Sequence, residues 1–333
     1  MSPLCFSDPV YGETCIEAPL LDELYRTQAV QRLAHIYQGG VTAFIRPQRR
    51  TTRLDHSLGV MALLQRLGAG LEELAAGLLH DIGHTAFSHV IDFVFPNQEH
   101  TYHEDHRESM VETGEIAAIL SRHGLDERRV LNPDHYPLLE QPLPLLCADR
   151  LDYFLRDGVA DVGRFSVAEA RTLLRHLRVI DGKIVVDDLE AARWLGYAFM
   201  DLDDVCWCSV QEVGWYAVMA RALRAALEQG VLQESDFAGR DRDLWERLHQ
   251  ARNPEIDRWL ALLRPDVSFR RTTQDAADLE ALPKVRAIDA PVWVNGRVVP
   301  LSTLDPHFAA ARAAYIAGKR GTWYLQIVTA DPI

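Results

Sequence analysis

Leu78–His89 reads LLHDIGHTAFSH, and its first four residues decide how the rest of the chain is read. The stretch Glu72–Leu79 repeats apolar residues at helical spacing, and the pattern runs on through His80 and Asp81. A single histidine on an apolar helix is ordinarily a hydrogen-bonded core residue. An adjacent His-Asp pair is different, because an apolar helix would bury its charge at a cost of several kcal/mol unless something cationic pairs with it. His84 follows at i+4 from His80, so a continuous helix would place both rings on one face. The segment therefore predicts a core helix that presents imidazole and carboxylate together.

Two other segments carry matching donors: His56 in TTRLDHSLGV and Asp149 in CADRLDY. His56, His80, Asp81 and Asp149 form a mixed nitrogen and oxygen set suited to one divalent ion, with Mn²⁺, Mg²⁺, Fe²⁺, Co²⁺, Ni²⁺ and Zn²⁺ all open. Four protein ligands leave open positions on a six-coordinate ion. A hydrolase needs such positions for water and a phosphate oxygen.

The surrounding pattern is mostly helical. Leu20–Ile36 has helical spacing and is stopped by Gly39-Gly40, and a second run covers Asp55–Leu67. LPLLCADRLDYFLRDGV (143–159) reads as one amphipathic helix ended by Gly158, with Asp149, Tyr153 and Asp157 on one face. Irregular loops are expected over 92–109 and around Pro133, Pro137, Pro142 and Pro144. Asp181-Gly182 in RVIDGKIVV and Asn295-Gly296 in VWVNGRVV are two-residue hairpin turns, and TWYLQIV near the end has strand character. Helices resume between them, over about 189–229. The fold class is mainly α with a small α+β C-terminal part. Its expected divisions are a catalytic core over 1–175, a helical extension with a β-hairpin completing the cleft over 176–270, and an α+β tail over 271–333.

Composition narrows the class further. The chain has 333 residues, 48% of them hydrophobic, which is enough for a substantial core. No stretch approaches the roughly 18–20 apolar residues of a membrane span, and the start lacks a signal-peptide pattern, so a cytoplasmic protein without a membrane partner is expected. The formal charge of −13 repels a phosphate backbone and argues against nucleic acid as a partner. Cys5, Cys15, Cys147, Cys206 and Cys208 are odd in number and contain no CxxC, so buried or idle thiols are expected rather than disulfides or a thiolate zinc site.

The ordered set R-x-x-H (Arg53 to His56), HDIGH-x-x-FSH (His80 to His89), His103-Glu104 and D-R-L-D-Y-F-x-R-D (Asp149 to Asp157) resembles the HD superfamily of metal-dependent phosphohydrolases. Within that superfamily it resembles the deoxynucleoside triphosphate triphosphohydrolases, and Gln31–Leu33 and Gln38–Gly40 fit that branch. The resemblance spans about residues 20–160. It implies an HD-domain helical core with His56, His80, Asp81 and Asp149 as metal ligands. It further implies His84 as a catalytic histidine with His103 and Asp92 as partners, and His89 near the leaving group. Arg53 would hold a phosphate, Arg150, Tyr153 and Asp157 would contact phosphate and sugar, and Gln38 would read the sugar. Ordinary structural roles compete: a core aromatic for Tyr153, ion-pair partners for Arg150 and Asp157, a helix-end cap for His84. His100 and His106 read as solvated loop residues. Were His89 and His103 both turned inward, two ions bridged by Asp81 would be the alternative.

The resemblance also has departures. That branch carries cations and a tyrosine on a later helix to grip polyphosphate, whereas Asp201, Asp203 and Asp204 stand there in MDLDDVCWCSVQEVGWY. Lys183 and Arg193, or Arg221 and Arg224, are the remaining candidates. At the activator site of regulated relatives this chain has Arg26 and Ala34 around Gln31, and Gly39 lacks the side chain that packs on the sugar, so that route of regulation is not expected. The expected activity is phosphohydrolysis of a nucleotide, with a dNTP giving deoxynucleoside plus triphosphate as first choice. A phosphomonoesterase or phosphodiesterase on a smaller or cyclic nucleotide is the alternative, and a non-catalytic nucleotide sensor or scaffold a further one. A homo-oligomer follows by analogy with the same branch.

Overall fold

The computed structural model describes residues 3–95 and 114–328. His103, with His100, Glu104 and His106, lies outside the described residues.

Three helices cross at the centre. Arg53–Arg66 begins at a reciprocal cap between Thr52 and Asp55, and packs against both Leu71–Leu79 and Ala148–Arg156. Glycine permits the two close crossings. A Cβ on Gly77 would lie 2.5 Å from the Leu64 side chain, and one on Gly59 would lie 1.9 Å from Arg156 Nη2. Around them Leu20, Leu24, Leu63, Leu78, Leu151 and Phe154 form a contiguous apolar cluster. A second cluster surrounds the helix Val210–Glu228, which packs on Ile91–Val94 and Pro254–Leu260.

Strands β1 (Leu4–Asp8) and β2 (Gly12–Ile16) form an N-terminal hairpin. The hairpins β3 (Leu177–Ile180) with β4 (Lys183–Val186) and β7 (Pro291–Val294) with β8 (Arg297–Pro300) join through a parallel β4–β7 contact into one four-stranded sheet. Asp181-Gly182 and Asn295-Gly296 both take positive φ, as the tight turns require. A separate sheet has the order β5 (Ser268–Arg271), β9 (Trp323–Val328), β6 (Leu279–Ala281). No helix among the described residues is long and apolar enough to cross a membrane.

Four local expectations are corrected. Leu20–Ile36 is not one helix but Pro19–Tyr25 and Gln28–Arg32 followed by a 3₁₀ turn, because Thr27 caps the second piece and donates its hydroxyl to Leu24 O. The helix carrying the His-Asp pair stops at Leu79 with His80 as its C-cap, so His84 reaches the site from a turn and not by helical i+4 spacing. Only Ala148–Arg156 of the 143–159 segment is α-helical, since Pro142 and Pro144 precede it. Gly158 does not end that helix but lies in a wider π turn, Asp157–Asp161, packed under Phe165. Cys5 and Cys15 are not idle thiols: the β1–β2 register sets them opposite each other and they form a disulfide, while Cys147, Cys206 and Cys208 are free and buried.

Candidate metal centre

His56 sits in the first turn of its helix, His80 and Asp81 at the end of theirs, and Asp149 in the first turn of Ala148–Arg156. Their polar atoms converge. His56 Nε2 lies 2.9 Å from Asp149 Oδ1, 3.2 Å from His80 Nε2 and 4.0 Å from Asp81 Oδ2. His80 Nε2 lies 3.4 Å from Asp81 Oδ1 and 3.6 Å from Asp149 Oδ1.

The far side of each ring fixes its tautomer. His80 Nδ1 is 2.8 Å from Gly77 O, which can only accept, so Nδ1 carries the proton and the Nε2 lone pair faces the centre. His56 Nδ1 is 2.7 Å from Asp152 Oδ2, the carboxylate partner that ligating histidines commonly have. Two lone pairs and two carboxylates facing one point repel one another unless a metal ion, or in its place a second proton on His56, joins them. His56, His80 and Asp81 can hold a metal ion, and Asp149 Oδ1 is placed to complete the set.

The electrostatics favour the same charge. Burial disfavours a charged His56, but Asp149, Asp152 and Asp81 outweigh it and lift the ring to about 10. Burial would raise Asp81 and Asp149, yet both are held well below the usual carboxylate range, Asp81 by Arg53 and the two nearby histidines, Asp149 by His56 and His80. Asp152, wholly buried, receives Arg156 Nε at 2.9 Å and Nη2 at 3.0 Å, and Arg156 Nη2 continues to Asp8 at 2.7 Å. A chain of alternating charge thus runs from the N-terminal hairpin to the His56 ring. Sequence reading missed Asp152, although its place three residues after Asp149 is the available signal.

A cavity of about 420 Å³ opens beside the four donors. Gln38, Arg53, His84, His89, Asp92, Arg150, Tyr153 and Asp157 all line it. Arg53 Nη1 bonds Asp81 at 2.9 Å and its Nε bonds Ser88. His84 Nε2 is 3.2 Å from Asp81 Oδ1, and burial followed by the Arg53 charge keeps that ring well below its usual pKa. The His84 and His89 rings meet edge-on at 5.2 Å, and His89 Nδ1 is 3.2 Å from Asp92. Tyr153 packs against Trp207, whose Nε1 donates to Asp157 at 2.6 Å. Arg150 has a structural duty as well, donating to the carbonyls of Leu145 and Gln141.

The cationic candidates are corrected. Lys183 and Arg221 are exposed away from the cavity, Arg193 pairs with Asp305 and Glu190, and Arg224 donates to the carbonyls of Phe93 and Val94. The cavity's further cations are Arg49, Lys284 and Arg286. The three aspartates do not face it: Asp201 pairs with Arg164, Asp204 with Lys319, and Asp203 accepts from the Tyr315 hydroxyl and the Arg286 backbone N–H. No local pattern distinguishes Lys284 and Arg286, which lie in an irregular segment between β6 and β7.

A family model for the HD domain matches residues 53–157, the span holding all four donors. The metal-dependent phosphohydrolase cns2 of Cordyceps militaris is 35% identical over 94% of this chain and 92% of its own length. More distantly, the deoxynucleoside triphosphate triphosphohydrolase SAMHD1 homolog of Dictyostelium discoideum is 26% identical over 54% of this chain and 40% of its own. The crystal structure of a hypothetical protein from Aquifex aeolicus superimposes with a TM-score of 0.70 at 20% identity, covering 97% of this chain and 96% of that one. At that identity the likeness concerns the fold alone.

Proposed function

From the premise that this chain belongs to the HD-domain family of metal-dependent phosphohydrolases, we propose that it hydrolyses a P–O bond of a nucleotide, with a deoxynucleoside triphosphate split into deoxynucleoside and triphosphate as the first choice. One observation carries the proposal. Residues that line the cavity beside the converging donors carry buried polar atoms of both kinds with no partner among the described residues: the donors Arg53 Nη2 and Arg49 Nε, and the acceptors Gln38 Oε1 and Asp157 Oδ1. Orphaned donors of guanidinium type suit phosphate oxygens, and orphaned acceptors suit hydroxyl groups such as those of a sugar. The cavity volume also falls in the usual small-molecule range.

A divalent ion on His56, His80, Asp81 and Asp149 would supply Lewis acidity, lowering the pKa of a water and neutralising charge on a phosphate oxygen. Arg53 is fixed beside that point by Asp81 and Ser88, so its free Nη2 can orient a phosphate without further ordering. His84, with His89 and Asp92 behind it, forms the wall on which a proton can be taken up or delivered. Asp157 and Gln38 would position the sugar. The similarity to a triphosphohydrolase supports the dNTP choice.

The segment Asp201–Asp204 sends no cation into the cavity, which favours a phosphomonoester or cyclic nucleotide as a second reading. One panel separates the two. Protein loaded with Mn²⁺, Mg²⁺, Co²⁺ or Ni²⁺ is offered nucleoside tri-, di- and monophosphates, cyclic nucleotides and an aryl phosphate, and the released species are identified. Release of triphosphate supports the first reading, and orthophosphate from monophosphates alone supports the second. Silence with every metal overturns both.

A further inference from the structure

Several arginines line the cavity, and most meet a carboxylate. Arg53 Nη1 lies 2.9 Å from Asp81, Arg49 Nη1 3.4 Å from Glu212, and Arg150 Nη2 3.7 Å from Glu140. Arg286 does not. Its Nη1 donates to Lys284 O at 3.2 Å, and among the described residues no carboxylate stands within 4.0 Å of its guanidinium. Asp203 is near, but it accepts from the Arg286 backbone N–H at 3.3 Å. Tyr153 and Asp203 favour the Arg286 charge from a distance, and a guanidinium with one carbonyl contact among the described residues keeps further N–H donors for an anionic ligand group.

The segment bearing Arg286 is held rigid by contacts that leave that guanidinium available. Arg312 donates to Ile288 O at 2.8 Å and to Ala287 O at 3.1 Å, Asp289 N reaches Pro144 O, and Asp203 is itself fixed by the Tyr315 hydroxyl at 2.7 Å. The acidic helix end that lacks cations therefore anchors the loop that supplies one. Arg286 lies beside Tyr153, whose phenol is pushed up by burial and pulled back by Arg150 and Arg286. Tyr153 is about one helical turn beyond Asp149, so this charge stands off the metal-facing wall, with Lys284 lining the same cavity.

We propose that Arg286, with Lys284, forms a second anion subsite for phosphate groups beyond the one at the metal-facing wall, so that the preferred substrate carries at least two phosphates. The proposal rests on the phosphohydrolase reading above for its catalytic meaning, but the subsite can be tested without turnover. Inorganic tripolyphosphate and orthophosphate are titrated by calorimetry into the Mn²⁺-loaded full chain, wild type against Arg286→Met, which keeps the apolar stem, and Arg286→Lys, which keeps the charge. The expected result is a loss of about tenfold or more in tripolyphosphate affinity for Arg286→Met, equivalent to about 1.4 kcal/mol. Orthophosphate should shift less than threefold, and Arg286→Lys should retain most of the affinity. Equal losses for both anions, no loss for either, or no tripolyphosphate binding by wild type would each overturn the proposal. Should Arg286→Met fail to fold, the Arg286→Lys titration and a Lys284→Ala titration decide it: unchanged tripolyphosphate affinity with Lys284→Ala and a tenfold loss with Arg286→Lys would both contradict the subsite as stated. Failure of the phosphohydrolase reading appears separately, as a wild type that binds tripolyphosphate yet cleaves no phosphate ester.

Discussion

The two ends of the cavity compensate charge in opposite ways. At the His56 end each buried charge faces one of opposite sign, in the order Asp149, His56, Asp152, Arg156, Asp8. At the Arg286 end the guanidinium meets a carbonyl oxygen, and the neighbouring Asp203 takes the backbone N–H and acts on the charge only from a distance. A closed chain of charges fixes ligand atoms for a cation and resists movement, whereas an open one leaves a field for something that arrives from solvent. Within one cavity, the first arrangement suits a resident ion and the second a transient anion.

At the His56 end, deleting the side chains that face the metal position should have the largest effects. His80→Ala and Asp149→Ala are each expected to abolish metal binding, measured as bound metal per chain, and with it turnover. His84→Ala should keep the metal while lowering kcat by about 10²–10⁴-fold, the range for a lost acid or base. Nearly full activity in His84→Ala would remove that residue from the chemistry.

Behind the ligands the effects shrink but become more diagnostic. Asp152→Asn should weaken Mn²⁺ affinity by about 10–100-fold, because His56 then faces a neutral amide in place of the carboxylate that raises its basicity as a ligand. Arg156→Met is a stability variant: it strands the buried carboxylates of Asp152 and Asp8, and about 3–5 kcal/mol should be lost in urea unfolding. If Arg156→Met were as stable as wild type, the run of alternating charge would be an accident of packing.

The same contrast explains what could be read from the sequence. His56, His80, Asp81 and Asp149 stand in short apolar helical segments where a charged residue is conspicuous, so their convergence was legible without coordinates. Helix ends were not: the i+4 argument for His84 presumed a helix past Leu79, and the turn that replaces it is set by contacts with remote residues. Arg32 Nη2, for instance, holds the carbonyls of Ile82 and His84 while its Nη1 reaches Ala238 and Gly239. Arg286, Asp8 and the Cys5–Cys15 pair were invisible for a related reason. Each has a partner set by the folded chain and not by a local pattern: Asp203 for Arg286, Arg156 for Asp8, and the strand register for the two cysteines.

Asp241 gives the smallest expected effect and tests whether backbone alone can hold a buried charge elsewhere in this fold. Its two oxygens accept from Phe87 N at 2.6 Å and Tyr37 N at 2.8 Å, pinning the turn that follows His84 to the segment that presents Gln38. Phe87 and Ser88 both have positive φ, a conformation costly for such residues that persists only when neighbours enforce it. Burial pushes the Asp241 carboxyl up to about 7 despite those donors and the more distant Arg53 and Arg32. Folded Asp241 therefore holds its proton more tightly than unfolded Asp241. The stability this contributes is complete below about pH 4 and is lost as pH rises through about 7. Unfolding free energies of wild type and Asp241→Asn between pH 4 and 8 should show a falling component in wild type that the variant lacks. The variant will be less stable throughout, since its amide nitrogen must face a backbone N–H, so the difference in slope is the informative quantity. Parallel slopes would mean that the two N–H groups compensate the carboxylate fully, and the distinction between charges held by charges and charges held by backbone would then apply to Arg286 alone.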